Sequence, residues 1–150
     1  CGAEPVFVDV DRDTMGLSPT ALENWLTDHA SVGDDGICRT RADAKVIRAC
    51  LPMHTFGHPA RIETLCAVAD ELNLAVVEDA AESLGSSYKG KHVGTFGRLG
   101  VLSFNGNKIV TTGGGGAILT DDEVLADSVK HLSTTAKKPH RCQYIHDEIG

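Results

Sequence analysis

The stretch that decides the fold runs from residue 101 to residue 119 and reads VLSFNGNKIVTTGGGGAIL. A short apolar run leads into a polar turn that carries Lys108, and the four glycines at 113–116 lead into a second apolar run. Glycine gives up side-chain packing for backbone freedom, so four in succession indicate a loop shaped for a ligand or a neighbouring segment. The pattern predicts a strand, a functional loop and a second strand. A flexible hairpin with an exposed lysine is the alternative at this point.

Further strands are predicted upstream of this stretch. Apolar runs at 5–11 and 45–53 have the length and composition of buried strands. The continuous run at 74–77 is typical of a parallel strand that is covered on both faces. Residues 31–44 predict an exposed loop or a small ribbon, and residues 83–99 predict a long loop with short extended pieces.

Three helices are predicted between these strands. Ser18 and Pro19 indicate a helix that ends near residues 28–29, because serine caps a helix N-terminus and proline fits its first position. Pro59 begins a second helix, and either Asp121 or Asp122 caps a third. Strands that alternate with helices predict an α/β fold, a three-layer sandwich with a mostly parallel central sheet flanked by helices.

The composition limits the class of protein. The chain has 150 residues, of which 41% are hydrophobic and 23% charged, as expected for a soluble globular domain. A net charge of -7 without a basic cluster argues against nucleic acid and anionic membranes as partners. Five scattered cysteines without a CxxC pair indicate reduced thiols and a cytoplasmic protein. Because the chain opens on Cys1, we expect an internal piece of a longer protein.

Chemistry is predicted at the carboxyl ends of the strands, where open α/β sheets bind their ligands. Asp79 follows the run at 74–77, and Lys108 follows the next strand, so both reach one edge if these strands are neighbours. A lysine amine forms a Schiff base with an aldehyde, and a carboxylate keeps a pyridine nitrogen protonated, which together suit pyridoxal phosphate. Ser103 is placed to bind the cofactor phosphate. Taken alone, a carboxylate at a strand end is more often a cap or turn residue.

Two other kinds of site are less well supported. His54 and His58 resemble a zinc-ligand pair, but Gly57 and Pro59 disfavour the helix that such spacing needs, so we expect no metal and place His54 in a turn near the cofactor. A nucleotide-phosphate loop is also disfavoured, because the four glycines lead into a strand rather than a helix.

Several ordered motifs carry a resemblance to a known family. The chain resembles the DegT/DnrJ/StrS sugar aminotransferases, which are pyridoxal-phosphate enzymes of the aspartate aminotransferase fold. The matching motifs are PVFVDVD at 5–11, HTFGHP at 54–59, VVEDAAESLG at 76–85, GTFG at 94–97, SFNGNK at 103–108 and TTGGGG at 111–116. The resemblance covers nearly the whole chain.

The resemblance implies a role for four residues. Lys108 is implied as the Schiff-base lysine and the acid and base of the reaction, and Asp79 as the partner of the pyridinium nitrogen. Glu82 is implied near the phenolic oxygen of the cofactor, and Ser103 at its phosphate. Some relatives that deoxygenate sugars have histidine at the lysine position, so Lys108 favours transamination.

The resemblance also implies where the chain lies in a larger protein. Residues 1–150 correspond to the central part of the large pyridoxal-phosphate-binding domain, and an N-terminal segment and a small C-terminal domain are missing. Residues 146–150 precede the family motif that reaches the partner subunit's site. A cytoplasmic homodimer is therefore expected as the parent, and little activity from this piece alone.

The implied reaction moves an amino group from an amino acid, expected to be glutamate, to a keto sugar nucleotide. Its product would enter the synthesis of surface polysaccharide or nonulosonic-acid-type sugars. Arg98 and Gly114 depart from the common pattern, in which aspartate and glutamate stand there, and favour a nonulosonic-acid or bacillosamine subgroup. The alternative is a non-catalytic sensor or dimerisation scaffold that keeps the fold and the cofactor.

Overall fold

A four-stranded sheet forms the centre of the structure, a computed structural model that describes residues 2–134 and 136. Its strands, in spatial order, are β3 (Ala49–Cys50), β4 (Ala75–Asp79), β7 (Leu99–Ser103) and β8 (Gly116–Leu119). The first three run parallel, and β8 is antiparallel to β7. This mixed, mostly parallel sheet with helices confirms the predicted α/β class.

The decisive stretch folds as predicted, as a strand, a loop and a strand. Strands β7 and β8 pair with Ser103 opposite Gly116. The Phe104 N–H donates to the Gly115 carbonyl at 2.9 Å, and the Thr112 N–H donates to the Phe104 carbonyl at 3.0 Å. These bonds bring the two ends of the loop together beyond the strands, so Lys108 lies on a loop held at the sheet edge.

The three predicted helices are present, and two have the predicted caps. Helix α1 (Pro19–His29) begins after Ser18, whose hydroxyl accepts the Ala21 N–H, and helix α3 (Glu123–Ser133) begins after Asp122, whose carboxylate accepts two backbone N–H groups. Helix α2 (Ile62–Asp70) starts three residues after Pro59. The predicted start at Pro59 is three residues too early, because the Ala60 N–H donates to the His54 side chain in the connection that precedes the helix.

The hydrophobic core lies between one face of the sheet and helices α1 and α2. Its buried helix residues pack on Cys50 and Val76 of the sheet, and they are Leu22, Leu26, Ile62, Leu65, Val68 and Ala69. The other face carries a row of register partners, formed by Asp79, Val101 and Ile118 of β4, β7 and β8 and by Met53, which bridges to Asp79 beyond the end of β3. The three apolar members of this row are 36% to 49% exposed, so the described helices α1 and α2 cover the sheet on one face.

Two predicted strands differ from the structure. Residues 5–11 form no strand, and Val10 makes a single bridge to Leu17, because no strand in the described part of the chain lies beside this segment. The run at 45–53 is reduced to β3, and outside it only single bridges form, at Val46 and Met53.

The predicted ribbon and long loop are confirmed. Residues 31–44 contain an antiparallel ribbon of β1 (Ala30–Val32) and β2 (Cys38–Thr40). Residues 83–99 contain a short hairpin of β5 (Ser87–Tyr88) and β6 (Lys91–His92). None of the helices in the described ranges has the length and apolar character of a membrane span. Residues 146–150 lie outside the described residues.

Candidate active site

The predicted site residues gather at one edge of the sheet. Asp79 is the last residue of β4, and Ser103 is the last residue of the neighbouring β7. The parallel register places Asp79 opposite Val101, two residues before Ser103. The condition set from the sequence, that the two strands are neighbours, is met, and their carboxyl ends therefore share one edge.

Lys108 reaches this edge from the loop and pairs with Glu82. The Lys108 Nζ lies 3.2 Å from the Glu82 Oε1, and the two side chains are 17% and 41% exposed. An ion pair of this exposure contributes less than about 1 kcal/mol to stability. Its main effect is to orient the side-chain amine of Lys108. The backbone N–H of Lys108 donates to the Asn105 carbonyl at 3.0 Å.

Only one of the two Asp79 carboxylate oxygens accepts a hydrogen bond from the described residues. Its Oδ1 accepts the Ala81 N–H at 3.0 Å, and its backbone accepts the His54 N–H at 3.0 Å and donates to the Pro52 carbonyl at 2.9 Å. Within residues 2–134 and 136, Asp79 Oδ2 has no hydrogen-bond partner. Both backbone groups of Asp79 are therefore bound by the neighbouring 52–54 segment, and one carboxylate oxygen is available to a ligand.

Ser103 lies between the strand and the lysine loop. Its Oγ accepts the Asn105 N–H at 3.3 Å, and the side chain is half-buried. A hydroxyl that accepts one bond keeps its own proton for donation. Ser103 thus offers one hydrogen-bond donor at the same edge as Asp79.

A buried carboxylate that sequence reasoning missed lies directly before Asp79. Glu78 is 0% exposed, and both of its oxygens are fully hydrogen-bonded. Oε1 accepts the Phe96 and Gly97 N–H groups, each at 2.6 Å. Oε2 accepts the Gly94 N–H at 2.7 Å and lies 3.0 Å from His54 Nε2. The sequence signal was an acidic residue within a strand, on the same face as the core residue Val76.

His54 is the other half of this buried pair, and the geometry defines its tautomer. The Ala60 N–H donates to His54 Nδ1 at 3.1 Å, so Nδ1 carries no proton. His54 is therefore neutral and donates from Nε2 to Glu78. Burial raises the pKa of Glu78, but the bonds from His54, Gly97, Gly94 and Phe96 together hold the pKa below its ordinary value.

The histidines do not form a metal site in the described residues. His54 is bound on both ring nitrogens by protein groups, which leaves neither for a metal. Across residues 2–134 and 136, no three His, Cys, Asp or Glu side chains are grouped so that they could hold a metal ion. His54 instead lies in the predicted turn, whose centre is a 3-10 turn at Thr55–Gly57.

The fold and the site define a class of protein, an α/β domain that presents an amine, carboxylates and a hydroxyl where parallel strands end. Comparison with known proteins defines it further. The chain matches the DegT/DnrJ/EryC1/StrS aminotransferase family over residues 1–150 and belongs to this family. The resemblance seen in the sequence motifs is confirmed.

Individual relatives agree with this assignment. The chain is 40% identical to EpsN of Bacillus subtilis, provisionally named a pyridoxal phosphate-dependent aminotransferase, over 99% of this chain and 35% of EpsN. It is also 40% identical to GDP-perosamine synthase of Escherichia coli O157:H7, over 99% of this chain and 36% of that enzyme. An aminotransferase structure from Psychrobacter cryohalolentis is 31% identical, with a TM-score of 0.77, over 99% of this chain and 36% of that one. The chain thus spans about a third of the length of these relatives.

Proposed function

We propose that residues 1–150 are the central part of the large domain of a longer sugar aminotransferase, whose N-terminal segment and small C-terminal domain lie outside this chain. The enzyme transfers an amino group from glutamate to a keto sugar nucleotide for surface-polysaccharide or nonulosonic-acid-type sugar synthesis, as a cytoplasmic homodimer. One observation carries the proposal: Lys108 is held by Glu82 at the edge where β4 and β7 end in Asp79 and Ser103. Family membership and the name of GDP-perosamine synthase support it.

The residues at this edge fit pyridoxal phosphate by their chemistry. The Lys108 amine suits its aldehyde, the free Oδ2 of Asp79 suits its ring nitrogen, and the Ser103 hydroxyl suits its phosphate. Glu82 would lie near the phenolic oxygen. When bound, the cofactor supplies an electron sink that stabilises negative charge on the carbon that carries the transferred amine.

Each residue then has a defined task. Lys108 binds the cofactor and moves a proton at Nζ, first as a base and then as an acid. Asp79 holds the ring proton, and a hydrogen bond to a charged group of this kind contributes about 1.5–3 kcal/mol. Glu82 orients Nζ through the 3.2 Å contact. Because the Lys108 side chain is only 17% exposed, water has limited access to the amine.

Absorbance of the full-length protein tests the proposal. We expect added pyridoxal phosphate to give a visible band that borohydride removes and that is absent in Lys108→Ala. Lys89→Ala is the matched control, because Lys89 is an exposed lysine whose amine pairs with Glu63 of helix α2 and not with a residue of the sheet edge. Absence of a Lys108-dependent band in the full-length protein would refute the assignment.

Turnover separates the enzyme from the sensor or scaffold alternative. With L-glutamate and a keto sugar nucleotide, we expect the full-length protein to form 2-oxoglutarate with ping-pong kinetics. A sensor would show the Lys108-dependent band without turnover. The names of the relatives, which are aminotransferases and a synthase, favour the enzyme.

A further inference from the structure

The Glu78 carboxylate is buried and charged, yet it lies outside the set of residues assigned to the cofactor. Neighbouring residues of a strand point to opposite faces, so Glu78 faces the core while Asp79 lies on the open face. A buried charge is costly unless several hydrogen bonds compensate it, and Glu78 receives four. These four bonds join β4 to two separate turns, at 54–60 and at 94–97.

The first turn links Glu78 to Asp79 and Glu82. The imidazole of His54 binds Glu78, and its backbone N–H binds the Asp79 carbonyl at 3.0 Å. The Gly57 N–H closes the turn on the His54 carbonyl at 3.1 Å. Gly57 has φ +82° and packs so closely that an added Cβ would lie 2.6 Å from the Glu82 carbonyl oxygen. The 54–57 turn therefore contacts the backbone at both ends of the 79–82 segment, through His54 at Asp79 and through Gly57 at Glu82.

Backbone strain shows that this turn is held by its surroundings. Phe56 has φ +52°, in the left-handed region that bulky residues avoid. Its side chain is 90% exposed, so packing of the ring does not explain the conformation. Such strain persists only where neighbouring contacts determine the backbone. Here these contacts include the bonds of His54, the Gly57 N–H to the His54 carbonyl and the Thr55 hydroxyl to the Met15 carbonyl.

The second turn links Glu78 to the strand that carries Ser103. Three backbone N–H groups of residues 94–97 converge on the carboxylate. Gly97 lies against β4, where an added Cβ would be 2.5 Å from the Val76 carbonyl oxygen. Gly100 lies under the turn, with room for no side chain beside Gly94. The turn leads directly into β7, so its anchorage fixes the strand that ends at Ser103.

We propose that Glu78 and His54 form a buried positioning pair that fixes Asp79 and Glu82, and through Glu82 the amine of Lys108, for the cofactor. This inference rests on the proposed function. The pair acts from beneath the site: Glu78 holds both turns, and the turns hold the backbone of the residues that meet the ligand.

Glu78→Gln tests the hydrogen bonds specifically, because it keeps the shape of the side chain and replaces one of its two acceptor oxygens by an NH2 donor. Both oxygens of Glu78 face N–H donors, so a glutamine amide directs its NH2 group at donors in either orientation. His54 cannot relieve this by changing tautomer, since Nδ1 already accepts the Ala60 N–H. His54→Asn is the second variant, because asparagine keeps an acceptor for Ala60 and loses the donor to Glu78.

Val76→Ala is the matched control. Val76 is 4% exposed and lies two residues earlier on the same strand and the same face. Its truncation removes apolar packing beneath the site but none of the groups that form the four hydrogen bonds of Glu78. It therefore reports what general destabilisation does to cofactor binding.

The experiment combines two readouts on the full-length protein. Titration with pyridoxal phosphate should show binding about 10-fold weaker or more in Glu78→Gln and His54→Asn, as expected when a hydrogen bond to a charged group is lost. Val76→Ala should change binding less than about 3-fold. Hydrogen exchange of the cofactor-free protein should be faster at 54–60, 79–82 and 94–97 in both variants, and unchanged there in Val76→Ala.

Two results would overturn the inference: equal weakening in Val76→Ala and Glu78→Gln, or unchanged exchange of the three segments in both pair variants. If Glu78→Gln does not fold, the same comparison between His54→Asn and Val76→Ala decides. Failure of the proposed function is a separate observation, namely the absence of a Lys108-dependent band in the wild-type protein. Hydrogen exchange in the cofactor-free protein tests the pair independently of that band.

Discussion

Gly100→Ala tests the close approach on which the site depends. Gly100 lies at the centre of β7, opposite Glu78 on β4 and Leu119 on β8. An added Cβ would overlap the Gly94 carbonyl, with its carbonyl carbon 2.6 Å away. Both partners are backbone atoms, so a side-chain rotation cannot relieve the clash. The 94–97 turn must move away from the sheet, and the Gly94 N–H must then leave the Glu78 carboxylate.

The cost has two parts. Overpacking of a tightly packed site costs about 1–3 kcal/mol. Loss of the 2.7 Å bond from Gly94 to a buried carboxylate adds about 1.5–3 kcal/mol. Together we expect a loss of about 2.5–6 kcal/mol in the free energy of unfolding, a large share of the 5–15 kcal/mol typical of a domain.

Urea unfolding of the 150-residue chain measures this loss through the fluorescence of Trp25, its one tryptophan. Gly114→Ala is the control, because an added Cβ meets nothing within 4 Å and the glycine has no positive φ. We expect the control to change stability by less than about 1 kcal/mol. If Gly100→Ala also stayed within about 1 kcal/mol of wild type, the argument from close backbone packing would be refuted.

Three further predictions follow from the same contacts. Gly57→Ala should weaken cofactor binding about 10-fold in the full-length protein, because the new Cβ displaces the Glu82 carbonyl; unchanged affinity in a titration would contradict this. The lowered pKa of Glu78 means that its stabilising effect is present above the ordinary glutamate pKa of about 4.3 and is lost as pH falls through the folded value. The stability gap between wild type and Glu78→Gln should therefore be constant between about pH 5 and 7 and shrink below about pH 4, as urea unfolding at each pH would show. Burial raises the pKa of the Cys50 and Cys66 thiols to about 11, so iodoacetamide at pH 8 should label both about 100-fold more slowly in the folded than in the unfolded chain, as measured by peptide mass spectrometry.

Local chemistry explains what the sequence predicted well. The caps at Ser18 and Asp122 depend on side chains that bind backbone groups two or three residues away, so their signals are contained in a few letters. The same holds for the strand, loop and strand around Lys108. Family motifs, read in order, placed Asp79, Glu82, Ser103 and Lys108 at one site, and the structure brings Glu82 and Lys108 into contact.

Segments that need a distant neighbour were predicted less well. The run at 5–11 has the composition of a strand, but a strand forms only beside another strand, and a segment by itself does not reveal its neighbours. Helix α2 began later than Pro59 because the Ala60 N–H is bound by a side chain six residues upstream.

The sequence alone therefore determined the presence of the three helices, the caps of α1 and α3, and the strand, loop and strand around Lys108. Only the tertiary structure decided how those residues are held. Glu78 and His54 are 24 positions apart, and Glu78 lies 16 to 19 positions from the turn that binds it. A buried carboxylate is stable only if hydrogen-bond donors surround it, and those donors can come from any segment that the fold places beside it. The positions of such donors follow no periodic pattern along the chain.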